Sequence, residues 1–169
     1  RFRRNVRALL NETERKVAFI QFDIRRFKII NDLYGEQFGD EVLYWIREKL
    51  KELCNHRQYF LNLRSDVFQI VTEYDDVTEL YEQIARTERE LAMYKAVKLQ
   101  YSCGVYLVED GAMELRRMED RAAMARKAAK NSLLSQVVFY QEQFKTSLYN
   151  RKFVEENIDL AIREGQLQM

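Results

Sequence analysis

"KVAFIQFDIRRFKIINDLYGEQFGDEVL", residues 16–43, decides how the rest of this chain is read. Its first nine residues are an apolar, β-rich run too continuous for a strand with one wet face. They read as a central strand buried on both sides. One charge, Asp23, stands at the carboxyl end of that strand. Burying a lone carboxylate is costly unless it is paired or meets a cation. The continuation through Leu53 reads as two helices. A short one ends near Gly35. A second starts after Gly39-Asp40, with Asp40 opening it and Val42, Leu43, Ile46, Leu50 and Leu53 at helical spacing.

Outward from this stretch the chain alternates between the two periods. Residues 2–12 carry Phe2, Val6, Leu9 and Leu10 on one helical face. Tyr59-Phe60-Leu61 and Gln69-Ile70-Val71-Thr72 read as two short strands around "LRSDVF" (63–68). That connection is charged and lacks glycine, although tight hairpin turns usually recruit Asn-Gly, Asp-Gly or Gly-Gly for their positive φ. Residues 75–95 predict an amphipathic helix through Leu80, Ile84 and Leu91. A strand over 99–108, an Ala-rich helix over 113–130, a strand over 136–140 and a long charged helix over 141–165 complete the pattern. The expected fold class is α+β: an α/β sandwich with a central mixed sheet flanked by helices. The expected division is one domain over 1–140 and a helical connector over 141–169.

Composition narrows the function classes. The 169 residues fit one domain with an appendage, and 47% hydrophobic content supports a core. A net charge of +1 lacks the basic bias of a general nucleic-acid binder. The chain has no apolar run of membrane-spanning length and no signal-peptide pattern, so a cytoplasmic location with no membrane contact is expected. Cys54 and Cys103 lie in no CxxC pattern and read as reduced thiols. His56, the single histidine, has no partner for a zinc cluster and reads as a loop residue. Proline is absent, so element ends must be read from glycine and periodicity.

Three acidic positions, Asp23, Asp66 and the helix-opening Asp40, could carry chemistry. If the first strand and the hairpin are sheet neighbours, Asp23 and Asp66 converge at one edge. Two carboxylates at strand ends can hold Mg²⁺ through oxygen ligands together with substrate phosphates. The plainer readings are a cap for Asp23 and a turn residue for Asp66.

The same residues resemble the signature of GGDEF domains, the diguanylate cyclases, whose pattern is D-x-D-x-F-K-x-x-N-D-x-x-G-H-x-x-G-D-x-x-L. Asp23, Phe27, Lys28, Asn31, Asp32, Gly35, Gly39, Asp40 and Leu43 match at the right spacing. "RSDVF" (64–68) falls where the family carries G-G-D/E-E-F. "EDRAAMARKAAKN" (119–131) is similar to the family's A-D-x-A-L-Y-x-A-K helix. The resemblance implies a nucleotide-cyclase-palm-like fold. It also implies metal ligation by Asp23 and Asp66, with Asp66 the surviving acid of the catalytic turn. Nucleotide contacts would come from Asn31, Asp40, Phe27, Lys28, Arg64 and Lys127, with Mg²⁺ as cofactor if nucleotide binds. Asn31 and Asp40 would read the guanine edge. The plain alternative is that Asn31 caps the end of the first helix and Asp40 the start of the next.

The departures are as informative as the matches. Arg64 and Ser65 stand where two glycines let backbone approach the triphosphate. Val67 replaces the fourth-position acid, Arg25 the second acid of the strand pair, and Glu36 the histidine after Gly35. Asn55 and Gln58 occupy the places of an inhibitory R-x-x-D motif. The resemblance therefore implies a degenerate, regulatory diguanylate cyclase-like domain with weak GTP binding. The alternatives are an active cyclase condensing two GTP into cyclic-di-GMP and a purely structural dimerisation module. Residues 150–169 resemble the lead into an EAL phosphodiesterase domain. A tandem GGDEF–EAL protein, with that domain as partner and a homodimer as a further arrangement, is the expectation.

Overall fold

The computed structural model describes residues 1–133 and 136–142. In chain order the elements are α1 (Phe2–Glu12), β1 (Lys16–Ile24), α2 (Phe27–Tyr34), α3 (Glu36–Leu53), β2 (Gln58–Arg64) and β3 (Val67–Tyr74). They continue as α4 (Val77–Glu90), β4 (Met93–Tyr94), β5 (Val97–Lys98), β6 (Tyr101–Leu107), α5 (Leu115–Asn131) and β7 (Val137–Phe139). The main sheet runs β2-β3-β1-β6-β7. β1 pairs antiparallel with β3 and β6, and β6 pairs parallel with β7. The mixed α+β sandwich expected from the sequence is the observed fold.

Every residue of β1 after Lys16 is buried, because helices cover both faces of the sheet. Ala18, Ile20, Phe22 and Ile24 face Val42, Ile46 and Leu50 of α3 and Leu80 and Ile84 of α4 in one core. Val17 and Phe19 face Val6 of α1 and Met118 and Ala122 of α5 in the other. The period-2 alternation of β1 thus feeds two apolar layers at once.

Several expected boundaries move. α3 begins at Glu36, one residue after Gly35 (φ 91°), so Asp40 lies in its second turn and does not open it. Gly39 is a packing residue within that helix. A Cβ there would overlap the Asn31 Oδ1 and press on Phe27, so glycine lets α2 and α3 meet closely. Asn31 lies inside α2, where its backbone carbonyl accepts the Gly35 N–H at 2.8 Å, and its side-chain Oδ1 has no hydrogen-bond partner among the described residues. α4 stops at Glu90 instead of running to residue 95. Its start is fixed by Asp76, whose side chain accepts the Glu79 N–H at 2.9 Å, while the Glu79 carboxylate accepts the Asp75 N–H at 2.6 Å. Beyond it lies the β4–β5 ribbon, turned at Lys95 in the left-handed region (φ 51°). Strands of two residues have no period to detect, and lysine is a poor signal for such a turn. Gln141 and Glu142 are not helical. The rest of the expected 141–165 helix and the connector lie outside the described residues.

The glycine-free hairpin has a local solution. Ser65 and Asp66 form the turn between β2 and β3 without positive φ at either residue. The pairing slips between Asn62 and Arg64, a bulge that absorbs the twist a glycine turn would have supplied. The Asn62 side-chain amide donates to the carbonyls of Arg64, Ser65 and Val67 at 3.3, 3.1 and 3.1 Å, tying the turn from within.

Candidate functional site

The carboxyl end of β1 is where the chemistry-bearing residues gather. Asp23 pairs with Val67 across the β1–β3 ladder and with Ser102 across the β1–β6 ladder. Residues directly opposite in an antiparallel pair share a face. The side chain opposite Asp23 is therefore an apolar Val67, while half-buried Asp66 stands one residue beyond, in the turn. β1 and the hairpin are sheet neighbours, so Asp23 at the end of β1 and Asp66 in the β2–β3 turn lie at the same end of the sheet. Asp23 is a strand residue and caps no helix.

Asp23 is only 1% exposed, and its charge is met from α5. The Arg126 guanidinium donates to Oδ2 at 2.5 Å, and the Lys130 ammonium lies 3.5 Å from the same oxygen. These two cations, one turn apart on the helix, were not among the residues singled out from the sequence. They flank Lys127, which is exposed and without a partner among the described residues. Gly104 of β6 brings them there: a Cβ on it would overlap the backbone of Ala122, Ala125 and Arg126, so its absence lets α5 lie directly on the strand. The visible signal was an i, i+4 basic pair on an Ala-rich helix set against one buried acid. Oδ1 of Asp23 and Nε of Arg126 are both buried without a hydrogen-bond partner among the described residues.

Arg25, standing where the family pattern has its second acid, is a strut. Its Nε–H donates to the Ser102 hydroxyl at 2.9 Å, and its terminal nitrogen donates to the carbonyls of Ala129 and Ser132 at 2.7 and 3.3 Å. It satisfies the carbonyl end of α5, where a cation also complements the helix dipole. The Asp23 carboxylate is therefore held by Arg126 and Lys130, with Arg25 bracing the same helix end.

The remaining predicted residues form a second group. Asn31 and Phe27 of α2 meet over Gly39 of α3, with the Asn31 Oδ1 buried and unpaired among the described residues. Asp40 follows Gly39, exposed and without an ion pair or hydrogen bond among the described residues. Lys28 on α2 and Arg64 at the end of β2 are exposed and equally unengaged. The positions of the inhibitory motif serve the fold instead. The Asn55 side chain accepts the Arg57 N–H at 2.8 Å, and the Gln58 amide donates to the Thr72 hydroxyl at 3.1 Å and to the Gln83 carbonyl oxygen at 3.2 Å. His56 is exposed, and Cys54 and Cys103 are free thiols, with burial pushing Cys54 up to about 11.

A resident divalent metal fits this donor set poorly. Mg²⁺ asks for several oxygen ligands in near-octahedral array. One Asp23 oxygen already holds two cations, and the residue sharing its face across the ladder is Val67. Among the described residues no three His, Cys, Asp or Glu side chains converge as a metal cluster.

This geometry can be set beside known proteins. The family model described as "Diguanylate cyclase, GGDEF domain" matches residues 1–135. The GGDEF domain of DgcB from Caulobacter crescentus, solved in complex with c-di-GMP, superposes with a TM-score of 0.70 at 17% identity, covering 82% of this chain and 87% of that one. The active GGEEF domain of a diguanylate cyclase from Vibrio cholerae gives 0.71 at 20% identity, covering 83% and 95%. An EAL/GGDEF domain protein from M. capsulatus gives 0.67 at 18% identity, covering 79% and 92%. Among curated proteins, an uncharacterized membrane protein of Staphylococcus aureus strain USA300 is 30% identical over 145 residues, 77% of this chain and 41% of that protein. The chain thus spans about two fifths of the length of the curated relatives it matches. No helix among the described residues is long and apolar enough to cross a membrane. The fold, the matched residues and the signature around Asp23 agree that this chain belongs to the GGDEF, diguanylate cyclase, domain family.

Proposed function

We propose that this is a regulatory GGDEF domain of cyclic-di-GMP signalling that no longer condenses GTP and retains weak GTP binding. The observation that carries the proposal is the engagement of Asp23 by Arg126 and Lys130, with Val67 opposite it in the ladder. Condensation of two GTP requires a 3′-hydroxyl to attack an α-phosphate while charge accumulates on the phosphoryl oxygens. In the family, the first-strand acid and the signature acids hold the metal that neutralises this charge. Here the buried acid neutralises side chains of its own chain, and one signature acid is an alkyl group. Loss of a metal-side carboxylate costs a rate factor of about 10² or more.

Nucleotide recognition rests on different residues. Asn31 offers a donor and an acceptor beside Gly39, and Asp40 can accept from the guanine N1–H and exocyclic amine. Phe27 supplies an apolar wall. Mg²⁺ in this reading arrives on the phosphates, with Asp66 as the free carboxylate. Arg64, Lys28 and Lys127 are the unengaged cations available to the phosphate oxygens. In the longer protein the domain acts on a neighbouring domain in the cytoplasm, an EAL-type phosphodiesterase being the neighbour that the tail sequence resembles. Calorimetric titration of the chain with GTP and with ATP, both with Mg²⁺, tests the binding half. Preferential GTP binding supports it, and no detectable binding of either at millimolar concentration leaves a structural module.

A further inference from the structure

A second feature, which shares only Asp40 with the nucleotide reading, lies on the outer flank of α3. Asp40, Glu41, Tyr44, Trp45 and Glu48 recur at i, i+1, i+4, i+5 and i+8, so they share one side of the helix. With Tyr94 from the β4–β5 ribbon they line a cleft of about 490 Å³. Its aromatic lining is Tyr44, Trp45 and Tyr94, and beyond the cleft the rings continue. Tyr34, Phe38, Tyr94 and Trp45 form a chain of rings with successive centroids 4.9, 5.5 and 5.3 Å apart. A chain of aromatic rings at the surface is more than scattered surface apolarity. Tyr44 is 62% exposed, with its ring turned to solvent beside this chain.

The cleft is rimmed by three carboxylates, and the molecule itself shows what such a surface accepts. The Lys95 ammonium sits 5.2 Å from the Tyr94 ring centroid and 5.7 Å from that of Phe38, and pairs with Glu41 at 3.0 Å. Lys95 reaches this position from a left-handed turn residue, a conformation that non-glycine residues seldom hold. The neighbouring half of the cleft, between Tyr44, Trp45, Asp40 and Glu48, has the same ingredients with no cation of its own over the rings. Among the described residues Glu48 is engaged only by the surface Lys51 one turn away, and Asp40 by nothing.

We propose that this half of the cleft seats the guanidinium of an arginine from a partner protein. A planar guanidinium can stack on Tyr44 or Trp45 while its fork of donors reaches the Glu48 carboxylate, a match a compact ammonium makes less well, and Asp40, about 12 Å further along the helix, adds negative charge to the rim. Charge complementarity selects the partner: a segment carrying exposed arginine, docking against α3 on its outer flank.

Trp45 is the only tryptophan in the chain, so its fluorescence reports directly on the cleft. The 169-residue chain is titrated with tetra-arginine, tetra-lysine and tetra-glutamate peptides at fixed ionic strength. The expected result is a saturable change in Trp45 emission with tetra-arginine, a weaker one with tetra-lysine and none with tetra-glutamate. Tyr44→Ala, at an exposed position, and Glu48→Gln, at a half-buried one, both outside the nucleotide group, should each weaken tetra-arginine binding about three- to fivefold with unchanged circular dichroism. Absence of a saturable change, equal binding of lysine and arginine, or equal binding by the parent and both variants overturns the assignment.

Discussion

Replacing Arg126 with methionine isolates the ion pair on which the account turns. Methionine keeps most of the buried stem and removes the charge. Asp23 is 1% exposed and the Arg126 side chain 12%, so the pair belongs to the buried class. Removing one partner of such a pair costs about 3–5 kcal/mol, because the other charge is left without compensation. Lys130 lies 3.5 Å from the same oxygen but is 54% exposed, so it recovers only part of the loss. The lower end, about 3 kcal/mol, is therefore expected, or a fall in Tm of about 6–12 °C for a chain of this size. Adding Asp23→Asn should restore part of this, with a coupling energy of about 1.5–3 kcal/mol in the double-mutant cycle. Urea unfolding followed by Trp45 fluorescence and far-UV circular dichroism measures all four proteins. If Arg126→Met changes stability by less than about 0.5 kcal/mol, the size of an ordinary surface substitution, the argument for a buried Asp23–Arg126 pair is refuted.

Asn62→Ala removes the amide that ties the Ser65–Asp66 turn, and urea midpoints should show a loss of about 1–2 kcal/mol, concentrated in hairpin amides by hydrogen exchange. Burial raises the Glu88 carboxyl above its usual range, and its Oε1 has no hydrogen-bond partner among the described residues. A raised carboxyl holds its proton more tightly in the folded chain, so its contribution is full below the unfolded value and lost as pH rises through the folded one. Glu88→Gln should therefore be more stable than the parent at neutral pH, with the gain shrinking in acid. Asp40→Ala should abolish a calorimetric preference for GTP over ATP while leaving the thermal unfolding curve in place, since Asp40 is exposed and makes no contact that holds the fold.

Long, strongly periodic elements were legible in the sequence, and so was the pairing of β1 with the hairpin, which sets Asp23 and Asp66 at one end of the sheet. β1 announced itself because an unbroken apolar run with one terminal acid has few other readings. The Asp23–Asp66 neighbourhood followed once β1 and the hairpin were sheet neighbours, because register fixes strand ends together. The start of α3 was misread because Gly39-Asp40 looks like a helix boundary, whereas Gly39 is there for close approach to Asn31. The β4–β5 ribbon was too short to show a period. Arg126 and Lys130 were missed for a different reason. Basic residues on an Ala-rich helix usually face water, and only the docking of α5 on Gly104 reveals that one face of that charge pair meets a buried acid. Arg25 could be read as a lost acid, but its role as a strut to the α5 carbonyls depends on where that helix ends.

Product formation shows most directly whether this GGDEF domain joins GTP to GTP. The purified chain is incubated with GTP and Mg²⁺ or Mn²⁺ beside an active diguanylate cyclase, and the products are separated by chromatography. No cyclic-di-GMP is expected from this chain, and none from Val67→Glu, because Arg126 and Lys130 still hold Asp23 and the two signature glycines are still Arg64 and Ser65. Clear, enzyme-dependent cyclic-di-GMP from the unaltered chain would contradict that expectation.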